Sequence, residues 1–155
     1  MEAAPELTAQ TPPAQSTDVV RFDTKIAVVI RDDLPVWQKL NVTAFLVSGI
    51  TARHPDIMGK PYVDAQGNFF NALCGQPIIC MAADAETLSK IHNRAIEKGA
   101  NTSVYTEEMF TTGHDAANRA VFAKFGKHDA RIVGVALRDT KKRVEKITDG
   151  ARMHP

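Results

Sequence analysis

Four places along the chain hold the side chains best suited to chemistry: Arg31-Asp32-Asp33, Lys39, Thr106-Glu107-Glu108 and His114. Carboxylates beside a guanidinium can bind a polar substrate or relay a proton. A lysine can hold an anion or stabilise a developing oxyanion, and an imidazole can act as a base close to neutral pH. Asn41, Thr106 and Thr112 add neutral hydrogen-bonding groups near these positions, so they are candidate substrate contacts. The reading is a crevice in which Arg31 and Asp33 bind substrate, Lys39 stabilises charge, and Glu107 or His114 activates water. Each member also has a plainer role. Asp33 can cap a helix, Lys39 can run its methylene stem along the surface, and His114 can bond locally at a helix start. As a binding module rather than an enzyme, the same crevice would hold a small anion such as an amino-acid carboxylate on Arg31 and Lys39.

Other chemistries lack their motifs. No G-x-G-x-x-G, Walker loop or G-x-S-x-G occurs, which argues against dinucleotide oxidoreductases, P-loop NTPases and α/β-hydrolases. The five histidines are scattered without helical or hairpin pairing, so no metal and no cofactor is expected. Cys74 and Cys80 form neither a disulfide framework nor a zinc set, and Cys80 reads as a buried, inert thiol.

The elements that must position these groups are legible as alternating patterns. Lys25–Ile30 is a β-branched run suited to a central strand, stopped by Arg31–Pro35. Val36 to about Ile50 reads as a helix apolar around most of its circumference and therefore largely buried. Residues 61–64 and 68–71 flank Gly67 as a hairpin insertion, and Pro77–Met81 is a second central strand. Asp84 should cap a helix that ends at Lys98 before Gly99. A strand at Thr102–Tyr105, a helix from Asp115 to Phe125 and a final strand at Ile132–Leu137 follow. Asp139 is then placed to cap a basic helix from Thr140 to about Thr148. Strands alternating with helices imply an α/β fold, a mixed and mostly parallel sheet with helices on both faces. In such sheets ligands gather beyond the carboxyl ends of parallel strands, where Arg31–Asp33 and Thr106–Glu108 would share one rim.

A chain of 155 residues, 44% hydrophobic and 24% charged, fits one such domain. We divide it into a tail over residues 1–20, rich in Pro, Ala, Gln and Thr, and a single α/β domain over 21–155. A net charge of +1 gives no strong attraction for polyanions. No apolar run approaches a membrane span and no basic group precedes Arg21, so a cytoplasmic protein without membrane contact is expected.

Two long stretches, Lys25–Leu46 and Val104–Ala120, closely resemble the bacterial family known as domain of unknown function two thousand, and the likeness extends over about residues 25–149. That family is in turn distantly similar to the second-type peptidyl-tRNA hydrolases. Their V-V-R-x-D-L opening corresponds to Val29–Leu34, and the functional lysine of their first helix matches Lys39. Their Q-P-K strand and acidic-capped helix match Gln76-Pro77-Ile78 and Asp84–Lys98. Thr43 stands where their helix has a glutamine, and Glu107-Glu108 with His114 replace an aspartate-led loop. The resemblance implies a peptidyl-tRNA hydrolase-like fold, a homodimer, and cleavage of an ester or amide in a small-molecule or tRNA-linked substrate.

Overall fold

The computed structural model describes residues 20–155; apart from Val20, the expected tail lies outside the described residues. Five strands form the sheet: β1 (Thr24–Arg31), β4 (Ile78–Ala83), β5 (Thr102–Thr106), β6 (Ile132–Thr140) and β7 (Arg152–Met153). Their order is β5-β6-β1-β4-β7. The β-branched run puts β1 in the middle, where Ile26 to Ile30 are all buried. A separate two-stranded sheet, β2 (Tyr62–Val63) and β3 (Phe69–Phe70), is the expected hairpin insertion. Gly67 in its turn has φ +85°, a conformation that favours glycine.

The sheet is mixed as expected, yet only β1 and β4 pair in parallel. β1 with β6, β5 with β6, and β4 with β7 are antiparallel, so the mostly parallel sheet gives way to one parallel crossover in an antiparallel frame. Two antiparallel steps still leave β1 and β5 running the same way. Arg31 and Glu107 therefore do share a rim.

Helices cover both faces. On one, α1 (Val36–Arg53) packs Val42, Leu46 and Ile50 on Ile26, Val28 and Ile30. On the other, α2 (Ala85–Glu97) and α4 (Lys141–Ile147) bring Leu88, Ile91, Val144 and Ile147 onto Ala27 and Val29. At α2 the expected punctuation is present: Asp84 accepts the Thr87 amide at 2.8 Å, and Gly99 follows the helix with φ +63°.

Several local expectations are corrected. Pro35, not Asp33, occupies the cap of α1, because Asp33 is taken by Arg31. Likewise Thr140 caps α4, while Asp139 accepts from Arg143 at 2.9 Å. Asp33 is committed to a charge-assisted bond with Arg31, and Asp139 divides its oxygens between Arg143 and the Thr140 amide at 2.7 Å, one residue ahead of the cap position. Helix α3 (Asp115–Phe122) stops short of Phe125, and β7 adds a strand after α4. Most consequentially, α1 is not largely buried: Val36, Trp37, Leu40 and Phe45 stand 55–71% exposed. Cys80 is exposed as well, at a β4 position.

Candidate functional site

The expected crevice residues fall in three places. The first is the rim. Arg31 Nε donates to Asp33 at 2.5 Å and Arg31 Nη1 donates to Glu107 at 3.1 Å, with Arg152 donating to Asp32 at 3.0 Å beside them. Burial opposes the charge on Arg31, but its bonds to Asp33 and Glu107 outweigh that and raise its pKa. Three carboxylates face two guanidinium groups, so among the described residues the rim has no spare cation for an anionic ligand. Its effect is mechanical. Glu107 opens a 3-10 helix (Glu107–Thr111), and the ion pair fixes where that helix leaves the sheet. Thr106 beneath it is fully buried and its hydroxyl finds no partner, which removes it from ligand contact.

The second place is an open cleft of ≈ 970 Å³ between α1, β5, the 3-10 helix and α3. Asn41, Thr112 and His114 line it, as do aromatic residues that the sequence reading assigned to the core or passed over. Trp37 meets Phe110 edge to face at 6.1 Å between centroids, Phe110 lies 5.2 Å from Tyr105, and Tyr105 lies 5.9 Å from Phe45. Such contacts hold the rings in fixed mutual orientation. Burial pushes the Tyr105 phenol up, so it stays a neutral phenol at neutral pH.

Helix spacing explains the wall. Trp37, Asn41, Phe45 and Ser48 project from one flank of α1, while Val42, Leu46 and Ile50 turn to the sheet. Close packing sets the cleft's depth: a Cβ at Gly49 of α1 would lie 2.3 Å from Ser103 Oγ of β5. Opposite, the Thr112 hydroxyl sits 2.8 Å from the Met109 carbonyl and also against Asn118 Oδ1. With the hydroxyl proton committed to the Met109 carbonyl, the Thr112 lone pairs and the Asn118 amide are the polar groups this corner presents.

His114 is the N-cap of α3: its Nδ1 accepts the Ala117 amide at 3.2 Å. In the neutral ring this bond leaves the proton on Nε2. The imidazole therefore offers the cleft a donor and not the lone pair a general base needs. Arg119, also on the lining, is engaged by Asp115 at 2.7 Å.

Lys39 is the third place. Its ammonium lies 3.3 Å from His154 Nε2, and Thr43 Oγ1 donates at 2.7 Å to the Lys39 carbonyl one turn back. The lysine thus points to the side of α1 nearer β4 and β7, whereas the cleft opens on the β5 side. Among the described residues no group of three or more His, Cys, Asp or Glu is placed to hold a metal ion, and no helix is long and apolar enough to cross a membrane.

What could have found the cleft from sequence is the pair Trp37 and Phe45, two turns apart with Asn41 between them on the same flank of the helix. The polar neighbour marks an accessible flank. No local pattern announces that Phe110 will meet Trp37, since 73 positions and four strands separate them.

The family model described as Protein of unknown function (DUF2000) matches residues 24–155. A solved structure of a protein of unknown function from Agrobacterium tumefaciens is 59% identical, with a TM-score of 0.86 over 87% of this chain and 100% of that one. No curated protein matches the chain.

Proposed function

We propose that this chain, which belongs to the DUF2000 family of proteins of unknown function, is a binding protein for a small organic molecule held in the cleft between α1, β5 and α3. The observation that carries this reading is the aromatic wall of Trp37, Phe45, Tyr105 and Phe110 facing the Thr112–Asn118 corner. A volume of ≈ 970 Å³ suits a drug-sized ligand. The chemistry selects a flat apolar body, stacked on the rings, joined to a neutral or singly charged hydrogen-bonding head. Amino acids with aromatic side chains and aryl carboxylates have this form.

The test is thermal denaturation against a panel of amino acids and small carboxylates. A ligand at 100 times its Kd stabilises by about 2.7 kcal/mol, which for a chain of this size shifts Tm by roughly 5–10 °C. Phe110→Ala should abolish that shift. A panel that leaves Tm unmoved refutes the reading.

A second reading, hydrolysis of a peptidyl- or aminoacyl-linked ester by a peptidyl-tRNA hydrolase-like protein, is favoured by the contact of Lys39 with His154. An ammonium donating to an imidazole Nε2 places a cation and an oriented ring together. Release of peptide from an N-blocked aminoacyl-tRNA by wild type, lost in Lys39→Ala, supports it; no release by wild type rejects it. A His114→Ala variant that retains activity would confine His114 to capping. The homodimer implied by the same resemblance would form on the opposite flank of α1.

A further inference from the structure

Among the described residues the hairpin β2–β3 pairs only with itself, Tyr62 with Phe70 and Val63 with Phe69. All four side chains are 54–77% exposed. A two-stranded hairpin with no sheet or helix behind it is marginal in water, and four large apolar residues in solvent make it worse. Yet its base is firmly set. The Gly59 amide donates to Leu73 O at 2.8 Å and the Gly75 amide to Ile57 O at 2.7 Å, across the Met58–Cys74 bridge. A Cβ at Gly59 would come within 3.2 Å of Leu73 O, so glycine allows the two chains to approach this closely. At the tip, Asp64 accepts the Gln66 and Asn68 amides and the Asn68 side chain. Among the described residues, the hairpin is a braced arm with no element to lie on.

Beside its base runs an apolar groove of ≈ 440 Å³. Val47 and Thr51 of α1 form one wall, Met58, Leu73 and Cys74 the other, and no charged residue lines it. By helical spacing Val36 and Leu40, 71% and 68% exposed, extend the α1 wall toward the helix start.

We propose that a second copy of this chain covers this face, each hairpin arm seating Phe69 and Val63, which share one side of the ribbon, in the groove of its partner, with Tyr62 and Phe70 on the other side packing at the groove's rim. An apolar arm and a neutral apolar groove sit side by side on one chain. A two-fold axis satisfies both at once, because in an isologous contact the arm meets the groove and the groove meets the arm. The area agrees: Val36, Leu40, Leu73 and the four hairpin residues leave on the order of 800 Å² of side chain in solvent, about what each partner gives to a standard interface. A nucleic acid or acidic partner would find no cation in the groove.

Light scattering on the full chain after gel filtration tests this. Wild type at about 50 μM should have twice the mass of one chain. Phe69→Glu/Phe70→Glu, at the arm, and Leu73→Glu, at the groove, should each run at the mass of one chain with an unchanged far-ultraviolet circular dichroism spectrum, as all three residues are exposed in the single chain. Wild type of one-chain mass up to 100 μM overturns the proposal. A dimer that survives both variants also overturns it, by placing the interface elsewhere.

Discussion

Gly134, in the middle of β6, is where the seating of α1 on the sheet can be tested most sharply. A Cβ there would lie 2.6 Å from Val42 Cγ1, 2.9 Å from Leu46 Cδ1 and 3.1 Å from Ile30 Cδ1. Comfortable carbon contacts are about 3.5–4.0 Å, so Gly134→Ala asks for roughly 0.5–1 Å from three side chains at once. Val42 is fully buried and β-branched, with little rotamer freedom. Ile30 is fixed by its place in β1, directly opposite Gly134 in the ladder. The strain therefore falls on α1, which must lift. Overpacking of this kind costs about 1–3 kcal/mol, and replacing a strand glycine returns about 0.5–1 kcal/mol. Three simultaneous contacts put the substitution near the upper end, for a net loss of about 2 kcal/mol and a Tm lower by roughly 4–8 °C. Urea denaturation should show the midpoint falling with the slope unchanged. Because the closest contact is Val42, Val42→Ala combined with Gly134→Ala should cost at least about 1 kcal/mol less than the two single losses added together. Strictly additive losses, or a Gly134→Ala variant as stable as wild type, would refute this seating of the helix.

Three further outcomes follow from named contacts. His92 is buried with Nδ1 unpartnered, and burial, helped by nearby His128, lowers its pKa; stability should hold above the ordinary histidine value of about 6.5 and decline as pH falls below it, a dependence that His92→Leu removes in urea titrations between pH 5 and 8. Arg31→Met strips Asp33 and Glu107 of their shared cation, and should cost about 1–3 kcal/mol by urea denaturation while weakening ligand binding in the cleft through a looser 3-10 helix. Asp84→Ala removes the α2 cap, so the urea midpoint should fall and amide exchange at Thr87 should quicken relative to Leu137 in the central sheet.

Where a residue's surroundings are set by its sequence neighbours, the sequence was a sound guide. Asp84 and Gly99 delimit α2 because a cap and a left-handed stop are local devices. The runs at 26–30 and 132–137 are strands buried throughout because no other packing hides every residue of such a run, and the run expected at 77–81 is also a strand, although Cys80 in it is exposed. The shared rim of Arg31 and Glu107 also followed, since it needs only that β1 and β5 run the same way. Nonlocal choices were not legible. An apolar residue in α1 states that it avoids water, not which neighbour shields it, so Trp37 and Phe45 read as core when they form a cleft wall. Asp33 and Asp139 carry capping chemistry, but each also has an arginine close by in sequence, Arg31 two residues before and Arg143 four residues after, and the capping pattern alone does not say which partner wins. Strand direction depended on a return path, and the two-residue β7 is too short to leave a pattern.

For the candidate site the same division holds. Asn41, Thr112 and His114 do line one cleft, while Lys39 stands with His154, and Arg31, Asp33 and Glu107 neutralise one another at the rim. The chemistry anticipated for a single crevice is thus distributed, and aromatic surface takes its place.

Trp37 is the chain's single tryptophan and stands in the cleft wall, which makes its emission a direct report on occupancy. Titration with N-acetylphenylalanine and aryl carboxylates, followed at Trp37 in wild type and in Phe110→Ala, tests the central claim. The account predicts a saturable change in emission for at least one of these compounds, lost when Phe110 is removed. Emission that stays constant across the series, or a change that survives in Phe110→Ala, would contradict it.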